Sequence, residues 1–324
     1  MTQDVNGQNY DKFYYAYEYF DAAKTISNPD YINPTFSNIN PLTQGPNAYA
    51  ASTFIADPDF MANFIYPTMQ NASLDAASKQ AVVNYYMRAM EHPDITAPDG
   101  APNFIVGTDN NDNPLDGTAN NDFIVARDGT DLINANAGND FVDGGKGADY
   151  IDGGAGDDYL FGGELGDTLI GGDNSDHLYG EEDGDYLYGN AGTDYLYGGA
   201  GNDTLWIDMG EDLYSGGADA DTFQFNLSSI NNQSNPAQGM NTITDFNASE
   251  GDVLDITNIL SGYDPLNDDI ADFVSLSDDG TNSFLAVDQD GLDTSYSFIT
   301  VAQLNGVTNL DLNDMITNGE LLVA

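Results

Sequence analysis

An aspartate stands at every ninth position through the middle of this chain: Asp122, Asp131, Asp140, Asp149, Asp158, Asp167, Asp176, Asp185, Asp194, Asp203, Asp212 and Asp221. Carboxylates are hard oxygen ligands, and a ladder of them suits a hard cation. Calcium takes six to eight oxygens in a forgiving geometry, whereas magnesium demands a tighter octahedron. The remaining oxygens would be backbone carbonyls of the turns, which are rich in glycine: Gly138, Gly144, Gly147, Gly153, Gly156, Gly162, Gly171, Gly180, Gly189, Gly192, Gly198 and Gly201. Several calcium ions are therefore expected, held by these aspartates and turn carbonyls.

The ladder needs elements that keep it in register. Two residues after each aspartate stands an apolar or aromatic side chain, in order Ile124, Ile133, Val142, Ile151, Leu160, Leu169, Leu178, Leu187, Leu196, Leu205, Tyr214 and Phe223. Each makes the inward residue of a three-residue strand, with its neighbours pointing outward. The glycines turn the chain where side chains would clash and φ is often positive. Two nonapeptides complete one coil of eighteen residues, and coils stack as parallel strands about 4.8 Å apart. The expected fold is mainly β: a right-handed parallel β-roll of about six coils with the aliphatic column inside.

Stacking also brings together the carboxylates of alternate repeats. At about 5 Å and an effective dielectric near 20 they repel by roughly 3 kcal/mol per neighbouring pair. Strand propensity offers at most about 1 kcal/mol in return. The roll should not close unaided, and cation binding energy becomes folding energy. A metal-free acidic solenoid is the competing reading.

Segments such as GGAGDDYLF (153–161) and GGAGNDTLW (198–206) fit G-G-x-G-x-D-x-U-x throughout. These repeats resemble the RTX family of calcium-binding β-roll proteins over about a third of the chain. The resemblance implies calcium between alternate turns, held by the aspartates named above. Leu165, Asn174, Asp183 and Asp219 replace the glycine in the second half of the turn, and Ala126, Ala135 and Ile207 replace the first glycine. The preceding stretch GTDNNDNPLD (107–116) carries one extra residue and a proline, and reads as a cap.

Three domains follow: residues 1–102, 103–224 and 225–324. The last alternates short strand-like runs (NTITDF, GDVLDI, FVSLSDDG, SFLAVDQDG, SYSFITV) with turns. Placed directly after the repeats, it resembles the C-terminal target domain of proteins exported by type I secretion. That resemblance implies a C-terminal, uncleaved signal and the type I machinery as a partner, and fits an N-terminus without a basic start or an aliphatic segment. An ordinary acidic β-sandwich is the alternative. Asp288, Asp290, Gly291 and Asp293 read as a hairpin turn or a further calcium site. Residues 1–102 read as a small helical domain, with helices within 11–24, opening at Asp57-Pro58, and over 73–92, where Ser73 caps and Pro93 stops the chain. Its tyrosine-rich stripe is core or a docking surface.

The chain has 54 acidic and 6 basic residues, a net charge of -48. It cannot neutralise phosphates, so nucleic acid and anionic membranes are poor partners. No apolar run is long enough to span a bilayer. There is no cysteine, and neither H-E-x-x-H nor G-x-S-x-G occurs. His92 reads as a helix-end residue and His177 as an outward strand position, so the chain does not read as an enzyme.

One outward face carries Phe123, Phe141, Tyr159, His177 and Tyr195, with Phe161, Tyr179 and Tyr197 beside them; the opposite face carries Tyr150, Tyr186, Tyr188 and Trp206. The first is richer in rings and makes an apolar patch: plain exposed strands, a seat for the N-terminal domain, or a contact with another copy. The leading expectation is an extracellular or cell-surface structural protein, folded by calcium and assembled as a homo-oligomer or polymer into a surface layer, filament or matrix. A monomeric calcium-dependent adhesin or ligand-binding module is the alternative, and an enzyme or toxin fragment the remainder. Replacing Asp158 or Asp176 with alanine is expected to weaken calcium binding more than Asp264→Ala does. A calcium titration of the three variants checks this, and equal effects would mean the ladder is misplaced.

Overall fold

The computed structural model describes residues 2–3, 9–10, 103–208, 210–226, 240–260, 262–289, 291 and 298–324. The helices expected in 11–24, after Asp57 and over 73–92, together with Asp290 and Asp293, lie outside the described residues. The chain divides into two units, Met1–Ala101 and Pro102–Ala324. In the first, strands Thr2–Gln3 and Asn9–Tyr10 pair antiparallel.

The second unit is a parallel β-solenoid. Through the repeats its strands alternate between two sheets, so each pairs with the strand two positions away in sequence. The register advances eighteen residues per coil: Leu160 pairs with Leu178, Leu178 with Leu196, and Leu196 with Tyr214. On the other sheet Ile133, Ile151, Leu169, Leu187, Leu205 and Phe223 form the matching column. All twelve inward residues expected from the nonapeptide are fully buried, so the core is two facing columns one side chain thick.

The sheets do not stop at Gln224. Thr242–Ile243 and Val253–Asp255 continue them, and Leu321–Leu322 adds a last strand beside Val253–Asp255. Ile299–Leu304 runs parallel to Thr242–Ile243, then Ser283–Val287 and Val274–Asp278 turn the sheet antiparallel. All five strand-like runs of the C-terminal sequence thus contain strands. The one α-helix among the described residues, Leu312–Asn318, starts at Asp311, whose carboxylate accepts from the N–H groups of Asn313 and Asp314, and ends at left-handed Gly319.

The turns explain the glycines. A Cβ on Gly147 would overlap the carbonyl oxygen of Gly129 in the coil below, and Gly147 has φ +141°. Where glycine is replaced, the backbone keeps its left-handed shape: Leu165, Asn174, Asp183 and Asp219 have φ of 77°, 85°, 72° and 80°.

The outward rings require a correction. Phe123, Phe141, Phe161 and Tyr179, expected on an apolar surface patch, are buried. Coil spacing stacks them face to face, with Phe123–Phe141, Phe161–Tyr179 and Tyr179–Tyr197 centroids 5.1, 4.7 and 5.1 Å apart. Each ring removes its neighbours' faces from water. Tyr159, His177 and Tyr195 stack in the same way at 4.5 Å. Two exposed rings lie on the opposite sheet, where Tyr150 is 40% and Tyr186 52% exposed.

Gly147→Ala is expected to destabilise the calcium-loaded protein by about 3 kcal/mol or more, combining overlap with backbone strain. Gly306→Ala, with φ 70° and nothing within 4 Å of the added carbon, should cost about 1 kcal/mol. Thermal melts in millimolar calcium compare the two.

Candidate metal centre

Each aspartate of the repeat closes a turn; its backbone N–H reaches the next coil and its side chain the preceding one. The Asp140 N–H donates to Asp158 Oδ1 at 2.8 Å, the Asp158 N–H to Asp176 Oδ1 at 2.8 Å, and the Asp176 N–H to Asp194 Oδ1 at 2.8 Å. The second column repeats this from Asp131 through Asp149, Asp167, Asp185 and Asp203 to Asp221. The aspartate carbonyls in turn accept from strand N–H groups, as Asp158 does from His177 and Asp176 from Tyr195, both at 2.8 Å. One carboxylate oxygen per residue is therefore a rung between coils. The nonapeptide pattern did not reveal this use.

The other oxygen is different. Oδ2 of Asp131, Asp140, Asp149, Asp158, Asp167, Asp176, Asp185, Asp194, Asp203 and Asp221 is buried and has no hydrogen-bond donor. In the turns that keep the first glycine it rests against that glycine, in five of them beside a carbonyl from the next coil. A Cβ built on Gly153 would lie 2.5 Å from Asp158 Oδ2 and 2.7 Å from the Gly171 carbonyl oxygen. Gly144, Gly162, Gly180 and Gly198 place Asp149, Asp167, Asp185 and Asp203 against the carbonyls of Gly162, Gly180, Gly198 and Gly216 in the same way, and Gly171 and Gly189 carry Asp176 and Asp194. Gly138, Gly147, Gly156, Gly192 and Gly201 instead press on the turn of the preceding coil. Among the described residues no three acidic or histidine side chains cluster around one point. Each column is therefore a run of single carboxylates among carbonyls, an oxygen-only, donor-poor environment. A buried acceptor without a donor costs free energy unless a cation or a proton meets it. The residues present fit a hard cation with mixed carboxylate and carbonyl ligands.

The same burial governs protonation. Desolvation pushes Asp176 up to about 9, Asp158 and Asp167 to about 8, and Asp140, Asp185, Asp194 and Asp221 to about 7. Asp149, Asp203 and Asp212 rise to about 6. Neighbouring carboxylates add to the rise at Asp158, Asp167 and Asp176, while the rung from a backbone N–H opposes it. Burial outweighs the mutual repulsion that sequence reasoning put first.

The columns end in a consistent way. At the N-terminal end Asp112 Oδ2 accepts from the Thr108 N–H at 2.7 Å, and Asp122 Oδ2 from the Thr118 N–H at 2.5 Å. At the C-terminal end the Tyr214 hydroxyl donates to Asp212 Oδ2 at 3.1 Å, and the Asn247 N–H to Asp252 Oδ2 at 2.8 Å. Asp252 and Asn241 continue the two columns, accepting from the N–H groups of Asp221 and Asp212. Neither stands at the nine-residue spacing. The signal for them was the surviving tripeptide, Asp252-Val253-Leu254 and Asn241-Thr242-Ile243. Asp245, also beyond the period, accepts from the N–H groups of Gly216 and Gly217 and from the Ser215 hydroxyl.

The family of RTX calcium-binding nonapeptide repeats (four copies) matches residues 106–142, 116–151, 135–169, 170–205 and 188–223. The repeats of this chain are thus calcium-binding repeats. No curated protein matches the chain. Among solved structures it is similar to the AlgE6R3 subunit of the Azotobacter vinelandii mannuronan C5-epimerase, with 26% identity over 71% of this chain and 86% of that one, TM-score 0.23. It is also similar to the extracellular lipase LipA of Serratia marcescens, with 20% identity over 72% of this chain and 41% of that one, TM-score 0.22. At these TM-scores neither likeness bears on function.

A carboxylate whose folded pKa stands above its unfolded 3.8 binds protons more tightly when folded. The contribution of these groups to stability is complete below about pH 4 and is lost as pH rises through 6 to 9. In chelator, circular dichroism should therefore show more β structure at pH 5 than at pH 8. In millimolar calcium the signal should be flat over that range. More β structure at pH 8 than at pH 5 in chelator would contradict the buried-acid account.

Proposed function

We propose that this RTX β-roll protein, with its repeats over residues 106–223, is a secreted structural protein that folds outside the cell when calcium enters its two carboxylate columns, and then associates with copies of itself. The observation that carries the reading is the set of ten buried Oδ2 atoms without a donor. Calcium bound there stabilises only the folded chain, so ion concentration sets the folded fraction. Sites of extracellular modules bind calcium at about 0.1–1 mM. Such a chain would stay unfolded where calcium is scarce, which suits threading through a type I export machine, and would fold at millimolar calcium outside.

Two features support association. The net charge of -48 keeps copies apart until cations offset it. The exposed rings Tyr150 and Tyr186 then offer a flat apolar contact on the nine-stranded sheet. Residues 225–324 serve as the export signal and as the cover of the last coil. Electron microscopy and light scattering with and without millimolar calcium test this reading: ordered polymers or oligomers only with calcium are expected. A monodisperse monomer in both conditions removes self-assembly and leaves the calcium-dependent adhesin.

A further inference from the structure

The turn that ends at Asp212 carries Ile207 and Asp208 where the consensus has two glycines, and the inward residue after it is Tyr214 rather than the aliphatic side chain of the ten repeats before it. Tyr214 is fully buried, and its hydroxyl donates to Asp212 Oδ2. The Asp212 N–H meets the neutral side chain of Asn241 at 3.2 Å. The carboxylate oxygen that lacks a donor at Asp140, Asp158, Asp176 and Asp194 is therefore satisfied at Asp212 by the protein.

Asp208 has taken the opposite course. It is 6% exposed, and its Oδ1 is buried without a partner. Its Oδ2 reaches back one coil and accepts from the Asn190 N–H at 3.0 Å. The adjoining residue, Gly189, is where Asp194 Oδ2 rests, 2.6 Å from the position a Cβ would take. Asp194 Oδ2 and the Asp208 carboxylate thus converge on the same Gly189–Asn190 peptide from two successive turns, and neither Asp194 Oδ2 nor Asp208 Oδ1 has a donor. The Asn241 amide, donating to the Asp208 carbonyl at 3.2 Å, fixes the backbone beneath it.

We propose that the ion-facing carboxylate of this turn has been exchanged: Asp208, with Asp194, holds the last calcium of its column, and Asp212, closed by the Tyr214 hydroxyl, is a metal-free end stop. The exchange rests on the calcium reading above. It gives Asp208 a role the nonapeptide pattern does not assign, and withdraws one from Asp212, which the pattern does mark.

Native mass spectrometry of the full chain, loaded with excess calcium and desalted, counts retained ions in the parent and in the Asp176→Asn, Asp208→Asn and Asp212→Asn variants. The exchange predicts fewer ions than the parent in Asp176→Asn, one fewer in Asp208→Asn, and the parental number in Asp212→Asn. A parental count in Asp208→Asn overturns it, and so does loss of an ion in Asp212→Asn. Each of these two variants decides alone if the other does not fold. A parent that retains no calcium removes the proposed function as well, whereas a loaded parent with an unchanged Asp208→Asn removes only the exchange.

Discussion

A buried carboxylate oxygen with no donor is the constraint on which this structure depends. Ten of the twelve repeat aspartates divide their two oxygens between two tasks. Oδ1 accepts from a backbone N–H in the neighbouring coil, a charge-assisted bond contributing about 1.5–3 kcal/mol. Oδ2 faces carbonyls and glycine backbone, where an uncompensated charge costs several kcal/mol. The fold keeps the first gain only by accepting the second cost. Because one side chain does both, ion binding and coil stacking cannot be separated.

Much of this was legible in the sequence. A period of nine, one aspartate and one inward residue per unit, fixed the coil length, the parallel register and the identity of all twelve core positions. The rungs were not legible, because which oxygen meets which N–H depends on a side-chain rotamer and on the rise between coils. Nor were the ends. The stretch between Phe225 and Asn241 breaks the period, and a search at fixed spacing passes over Asn241 and Asp252. What persists is the local unit, an Asx two residues before an inward aliphatic, since that is the part with a physical task. The outward rings were misjudged for another reason. Alternation says which side of a strand a side chain takes, but Phe161 and Tyr179 are buried although their side is outward. Stacking at the coil spacing does not by itself account for that burial, since Tyr159, His177 and Tyr195 stack as closely and stay part-exposed.

The tolerance of the turns has the same origin. Leu165 and Asn174 hold left-handed backbone at positions where glycine would be unstrained. These replacements leave the rung and the first glycine untouched, so Asp167 and Asp176 keep both tasks. The first glycine is replaced more selectively. Ala126 and Ala135 occur in the turns that lead to Asp131 and Asp140, and Ile207 in the turn where Asp208 and Tyr214 also differ. The first-glycine departures lie toward the two ends of the roll, where the columns pass from donor-free oxygens to oxygens satisfied by the protein.

That transition bears on how copies of the chain can meet. A column ending in an open carboxylate would present a half-site at each end of the solenoid, and an ion could bridge two rolls head to tail. Here Thr108, Thr118, Tyr214 and Asn247 supply donors to the terminal carboxylates. One sheet ends in two-residue strands, Leu115–Asp116 and Leu321–Leu322, too short to template another chain. At the C-terminal end of the other, the chain folds back on itself through Ile299–Leu304, Ser283–Val287 and Val274–Asp278. An association between copies, as proposed above, would then use a sheet face rather than an end, and the nine-stranded sheet carries the exposed rings Tyr150 and Tyr186.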